Sequence, residues 1–297
     1  MTVTQPESRV EATGCPPARS MRPPRTVRVA PHAVLLWAVS VSTLAFLALP
    51  TLFVIVVSFG RDRFVSFPPD GLTLSWFEHI DPMFWSALWF SIQVAVVSTA
   101  VSLVLGIPAA LALARGRFRT RALVDALVRA PLQVPYIVIG VAFLEYYRLF
   151  GETTGSQLRG TSMGLVIAHV VITAPFVVSA VVVGLERFDP NLEDAAYGLG
   201  MGRVRTFFHV TLPVIKPSVF AAAFFSFLIS FDNVPVSLYL GIANRNVLPV
   251  ALFLTAETSP TPSLYAVSSV VTVLSVVAVV IFNRLVGLRS AVNPAAA

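Results

Sequence analysis

Asp232 and Asn233 stand inside an apolar run, Pro217 to Leu240. If that run is a helix rising 1.5 Å per residue, Asp232 lies on the order of 20 Å along it, past the midplane of a bilayer. A carboxylate at that depth costs roughly 2.5–3.5 kcal/mol on insertion scales, so it should face a polar interior and usually serves a function. Two roles fit: lining a solute pathway that favours a cation, with Asn233 assisting, or a hydrogen bond or helix cap at the Pro235 break. Glu145 has Arg148 three residues on, the spacing of an ion pair on a helix face. Gly160-Thr161-Ser162-Met163-Gly164 fits the G-x-S-x-G pattern of serine hydrolases, with His169 behind it. That pattern needs a strand before the serine and a helix after it; here a polar loop precedes, and Ser162 reads better as an ordinary N-terminal cap. The phosphate-binding loop requires glycines ahead of a lysine, and the sole lysine, Lys216, is followed by Pro217 without them. His32, His79, His169 and His209 fall in separate segments, and Cys15 is the single cysteine. No metal-ligand spacing arises, and the sequence calls for no cofactor. His169 reads as a packed core histidine.

Such residues must be positioned by a membrane fold. The chain has 297 residues, 56% of them hydrophobic and 12% charged, with a mean hydropathy of +0.80; a soluble domain carries about 25% charged residues. Residues 1–31, with many prolines and five arginines, read as a disordered tail. Val34–Phe59 is long enough for a retained membrane anchor. Five further spans follow: Met83–Ala114, about Leu127–Leu149, Thr161–Leu185, Pro217–Leu240 and Ser263–Leu285. Arg61–Pro82 and Gly241–Pro262 read as the long loops. The pI of about 10.1 reflects arginines flanking apolar runs, which fits the positive-inside effect better than nucleic-acid binding. With the N-terminus inside, cytoplasmic segments hold 16 of the 21 basic residues, so both termini and the 186–217 segment are expected to be cytoplasmic.

The longest polar island, Glu193 to Pro217, reads as two short helices with a hinge. Asn191 can cap the first, with Glu193 and Asp194 in its first turn, where the helix dipole favours negative charge. Gly198, Gly200 and Gly202 permit a tight corner. The second, Arg203 to Leu212, carries Val204, Phe207, Phe208 and Val210 at helical spacing and is expected to end at Pro213 and Pro217. From composition alone it could also be an interfacial amphipathic helix on anionic lipid.

Asp194-Ala195-Ala196, three residues, Gly200, nine residues, Val210, one residue, Leu212-Pro213 resembles the cytoplasmic motif of permease subunits of binding-protein-dependent ATP-binding-cassette importers. That motif reads EAA, three residues, G, nine residues, I, one residue, LP. The departures are Asp194 for Glu and Val210 for Ile, with Glu193 immediately before. Ala112 to Gly116, Phe188 to Ala196 and the span order look like the same family, and Ser230 to Asn233 resembles its spermidine/putrescine-type branch. The resemblance implies an all-α, polytopic type I importer permease with six transmembrane helices. It also implies that Glu193, Asp194, Ala195, Ala196 and Gly200 couple to an ATPase subunit, with Leu212 and Pro213 anchoring the return into the membrane. Either acid could make that contact.

On this reading the chain is not an enzyme. ATP is hydrolysed by partner ATP-binding-cassette subunits, a second permease (expected to be a different chain) completes the pathway, and an extracytoplasmic solute-binding protein meets the external loops. The implied solute is a polyamine, with iron, thiamine-like cations and opines as alternatives. A channel or scaffold protein is the rival class, but no selectivity-filter pattern occurs and the coupling motif would have no purpose there. The expected organisation is a tail at 1–31, a first helix and external loop at 32–82, a permease domain at 83–288 containing the coupling loop 186–217, and a tail at 289–297. The expected location is the bacterial inner membrane.

Overall fold

The computed structural model describes residues 31–62, 67–116, 118–243, 245–258 and 261–292. The tail read at 1–31 therefore lies outside the described residues except for Pro31, as do Arg63, Arg117 and the last five residues.

The chain divides into two units, Met1–Pro50 and Thr51–Ala297, within one apolar helix, α1 (Pro31–Ser58). In the second unit α2 (Ser75–Glu78) and an isolated bridge between Gly60 and Leu72 give order to the first loop. The Trp76 indole N–H donates to the Gly60 carbonyl at 2.8 Å there. Next come α3 (Pro82–Arg115), α4 (Arg121–Arg129), a 3₁₀ turn (Ala130–Gln133) and α5 (Tyr136–Thr154). These lead to α6 (Ser162–Glu186), α7 (Asn191–Gly198), α8 (Arg203–Thr206), a π-turn (Phe207–Thr211) and α9 (Leu212–Phe231). The last three are α10 (Val234–Tyr239), α11 (Leu248–Thr258) and α12 (Pro262–Val292).

Among the described residues, five stretches are long and apolar enough to cross a bilayer, and there are six if the bent pair α4–α5 counts as one. That agrees with an all-α, roughly six-span protein, but the expected third span is not straight. The chain turns by 104° between Gln133 and Tyr136. Val134 precedes Pro135, and the proline ring disfavours the helical region for the residue before it; Val134 is accordingly extended, at φ −94° and ψ 130°.

The core of the second unit is α3, α6 and α9 packed on one another. Small residues let the backbones approach, as membrane helices require when lipid removes the hydrophobic drive between them. A Cβ on Gly106 would lie 2.7 Å from a Val177 methyl, and one on Gly184 would lie 2.5 Å from the Ser218 hydroxyl. At one end of this core Ala110, Leu113, Val181, Leu185, Phe188 and Ile215 interlock. Nearer its other end Phe90, Tyr147, Leu165, Ile172, Val236 and Leu240 do the same.

The expected fifth span also differs. Pro213 and Pro217 do not end a helix: Arg203–Phe231 runs as one 29-residue helix through α8, the π-turn and α9. Pro213 has no N–H to offer the carbonyl four residues back, and the wider π-turn immediately before it accommodates the ring. The helix stops at Phe231 rather than Leu240, and α10 follows as a separate piece. Gly241–Pro262, read as a loop, contains α11. Its eleven residues are too short for a span, but they bury Leu248 and Ala251 against Phe84 and Leu264.

Candidate functional site

Helix α7 is started by Asp189, not by Asn191. The Asp189 carboxylate accepts from the Asn191 backbone N–H at 3.0 Å and from its side-chain amide at 2.9 Å. The helix ends in a Schellman arrangement: the Gly200 N–H donates to the Tyr197 carbonyl at 2.9 Å and the Met201 N–H to the Ala196 carbonyl at 3.1 Å. Such an ending needs a left-handed residue, and Gly200 supplies it at φ +82°. Of the three hinge glycines, Gly198 is helical and Gly202 has a negative φ, so Gly200 alone makes the corner.

The corner sorts the predicted residues. Glu193 and Ala196 face inward and are buried, whereas Asp194, Ala195 and Gly200 are exposed. Leu212 is half-buried against the α3–α6 core and Pro213 is exposed. Around this elbow, apolar side chains stay exposed among the described residues: Leu199 is 85% exposed, Val204 72% and Phe208 57%.

Glu193 is held from two sides. One oxygen lies 2.6 Å from a guanidinium nitrogen of Arg115, the last residue of α3. The other accepts from the hydroxyl of Thr211, a fully buried residue at the end of the π-turn. The Arg115 guanidinium also stands 5.6 Å from the centre of the Phe188 ring. Sequence reading missed Arg115 and Thr211, because neither is near the acid in the chain.

Deeper in the second unit a polar seam crosses the core. Ser102 on α3 shares a 2.7 Å hydrogen bond with Thr173 on α6, and the Thr173 hydroxyl also donates to the His169 carbonyl. The His169 ring is fully buried, with Nδ1 2.7 Å from the Ser230 hydroxyl and Nε2 3.0 Å from the Ser237 hydroxyl. Those serines flank the α9–α10 break, so one imidazole ties α6 to both sides of it. The packed reading of His169 is correct, and its partners are serines that hydropathy treats as background.

At the break, Asn233 is buried and its side-chain oxygen accepts from the Val236 N–H at 2.9 Å, capping α10. Asp232 ends α9 with an exposed side chain. The cap expected of Asp232 is therefore made by Asn233, the residue expected to assist it in lining a pathway.

The remaining candidates resolve simply. Arg148 pairs with Glu145 and with Glu152, all three exposed on one face of α5. The cap of α6 is Thr161, which accepts from the Gly164 N–H at 3.0 Å, one residue before the expected Ser162. A turn through Gly160 at φ +70°, not a strand, precedes Ser162, and both nitrogens of His169 are engaged elsewhere. The hydrolase geometry is not formed.

The chain is 28% identical to the spermidine/putrescine transport system permease protein PotC of Haemophilus influenzae over 245 residues, which is 82% of this chain and 92% of that one. It is 29% identical to the protein of the same name from Escherichia coli over 238 residues, 80% of this chain and 88% of that one. Its fold superposes with a TM-score of 0.63, at 18% identity, on a chain of a bacterial ABC transporter involved in the import of the acidic polysaccharide alginate, covering 87% of this chain and 97% of that one. Residues 102–290 match the family described as binding-protein-dependent transport system inner membrane component. That stretch contains α6, the elbow, the polar seam and the α9–α10 break, and the chain belongs to this family, as a multi-pass inner-membrane permease subunit that is not itself an enzyme.

Proposed function

We propose that this chain forms half of the pathway of a polyamine importer and converts the ATP cycle of a separate subunit into opening and closing of that pathway. The observation that carries this reading is the elbow. An eight-residue helix and a left-handed glycine present Asp194, Ala195 and Leu199 to the outside, while the following helix runs without a stop from Arg203 to Phe231 in the core. A push on the exposed corner is therefore delivered to a single long lever. The spermidine/putrescine systems of the PotC relatives supply the substrate class, and Asp232, an exposed carboxylate where α9 ends, has the charge to attract a polycation.

The partners follow from this role: ATP-binding-cassette ATPase subunits under the elbow, a second and different permease to complete the pathway, and an extracytoplasmic solute-binding protein at the loops 61–82 and 241–262. The excess of basic residues beside one set of span ends supports a cytoplasmic position for both termini and the elbow. The permease domain is taken as 83–288, with the coupling loop at 186–217.

The test is uptake of radiolabelled spermidine into proteoliposomes holding the complete assembly, with ATP inside and binding protein outside. ATP-dependent uptake that unlabelled putrescine suppresses, and ferric iron, thiamine and opines do not, is the expected result. Suppression by one of those competitors instead would assign the substrate to it.

A further inference from the structure

Glu193 and Asp194 are adjacent acids at the start of the elbow helix, and the helix turns one inward and the other outward. Asp194 is exposed, whereas Glu193 is 8% exposed and has a partner for each oxygen within the chain: Arg115 for one, Thr211 for the other. These partners lie on different elements. Arg115 closes α3, Thr211 closes the π-turn at the foot of α9, and Glu193 sits in α7. One carboxylate thus joins the end of α3, the elbow and the base of α9. A charge taken out of water needs such partners, since leaving one side of a buried pair alone is costly.

We infer that Glu193, Arg115 and Thr211 form an internal clamp that fixes the elbow rigidly to α3 and α9, that Glu193 does not meet the ATPase, and that Asp194 is the acid offered to a basic group on it. The three are positioning residues. Elbow displacement is passed to two core helices at once because a charged, two-sided link resists both shear and tilt, whereas a short helix held only by Ala196 could rotate under load. This inference rests on the coupling reading of the elbow proposed above.

The test uses the complete assembly, with two readouts: retention of the ATPase subunit during purification, and solute imported per ATP hydrolysed in proteoliposomes. Glu193→Gln and, as a milder variant, Thr211→Val should retain the ATPase while import per ATP falls, by about tenfold for the loss of a charged hydrogen-bond partner. The exchange Arg115→Glu with Glu193→Arg should restore import above either single change. Asp194→Arg should instead release the ATPase. If Asp194→Arg leaves the ATPase bound, the elbow is not its dock and the coupling reading fails. If Asp194→Arg releases it and Glu193→Gln releases it equally, Glu193 belongs to the docking contact and the clamp alone is overturned. Unchanged import per ATP in both Glu193→Gln and Thr211→Val also overturns the clamp.

Discussion

His169 and Ser237 meet at 3.0 Å between the first half of α6 and the short helix beyond the end of α9. With the bond from Ser230 on the other ring nitrogen at 2.7 Å, one side chain crosses the point where the backbone ladder of α9 is interrupted. Hydrogen bonds between membrane helices contribute about 0.6 kcal/mol each on average, at most ~1.7. His169→Phe, which keeps the volume roughly and removes both bonds, should therefore destabilise the purified protein by about 1–3 kcal/mol. Ser237→Ala should cost about half as much. Thermal unfolding in detergent, followed by tryptophan fluorescence, measures both; equal melting of His169→Phe and the parent would show the seam to be energetically idle.

Much of this arrangement was legible before the fold was in view, and the omissions share a cause. Uncharged runs located α3, α6 and α12 because membrane solvation imposes a length that composition records directly. The elbow was legible because its spacing is local. Local signals erred where two competed: Pro213 and Pro217 look like stops, yet a π-turn carries the helix through them, and Pro135 bends a span that hydropathy draws straight. Arg115, Thr211, Ser230 and Ser237 were given no role of their own, since each acquires one only from a partner on another helix. Serines and threonines inside apolar spans are the one signal that could have flagged the seam, because a hydroxyl there must find an acceptor.

Gly200 makes a prediction that separates conformation from crowding. A Cβ at this position would meet nothing within 4 Å, yet the backbone stands at φ +82°. A side chain is therefore penalised by the left-handed backbone alone, and asparagine tolerates that region better than branched residues do. Gly200→Asn should keep most of the solute-stimulated ATPase activity, while Gly200→Val, costing roughly 1–2 kcal/mol at the corner, should lose most of it. If the two variants behave alike, the left-handed corner is not what the glycine provides.

Leu199 and Val204 face outward from a segment whose inward face is already filled by Glu193, Ala196 and Ile215. Apolar side chains exposed together mark a surface that a partner covers. Because both side chains are exposed among the described residues, Leu199→Asp and Val204→Asp should leave the stability of the isolated permease within about 0.5 kcal/mol of the parent. Both should reduce the amount of ATPase subunit recovered with it. Loss of permease stability in either variant would place these side chains in an internal contact.

Asp232 and Asn233 are neighbours with separable roles, and exchanging their chemistry tells the roles apart. The Asn233 side chain caps α10 through the Val236 N–H, and Asp232 is exposed at the end of α9. Removing the cap with Asn233→Ala should cost about 1 kcal/mol of stability and leave the ranking of competing solutes as it was. Asp232→Asn keeps the size and removes the charge, so stability should change little while spermidine uptake falls by about tenfold, the factor that corresponds to ~1.4 kcal/mol. The loss should be larger for spermidine than for putrescine, because a carboxylate attracts a solute in proportion to its positive charge. Uptake assayed at matched ionic strength gives the comparison, and an equal loss for both polyamines would mean that Asp232 acts on the helix end and not on the solute.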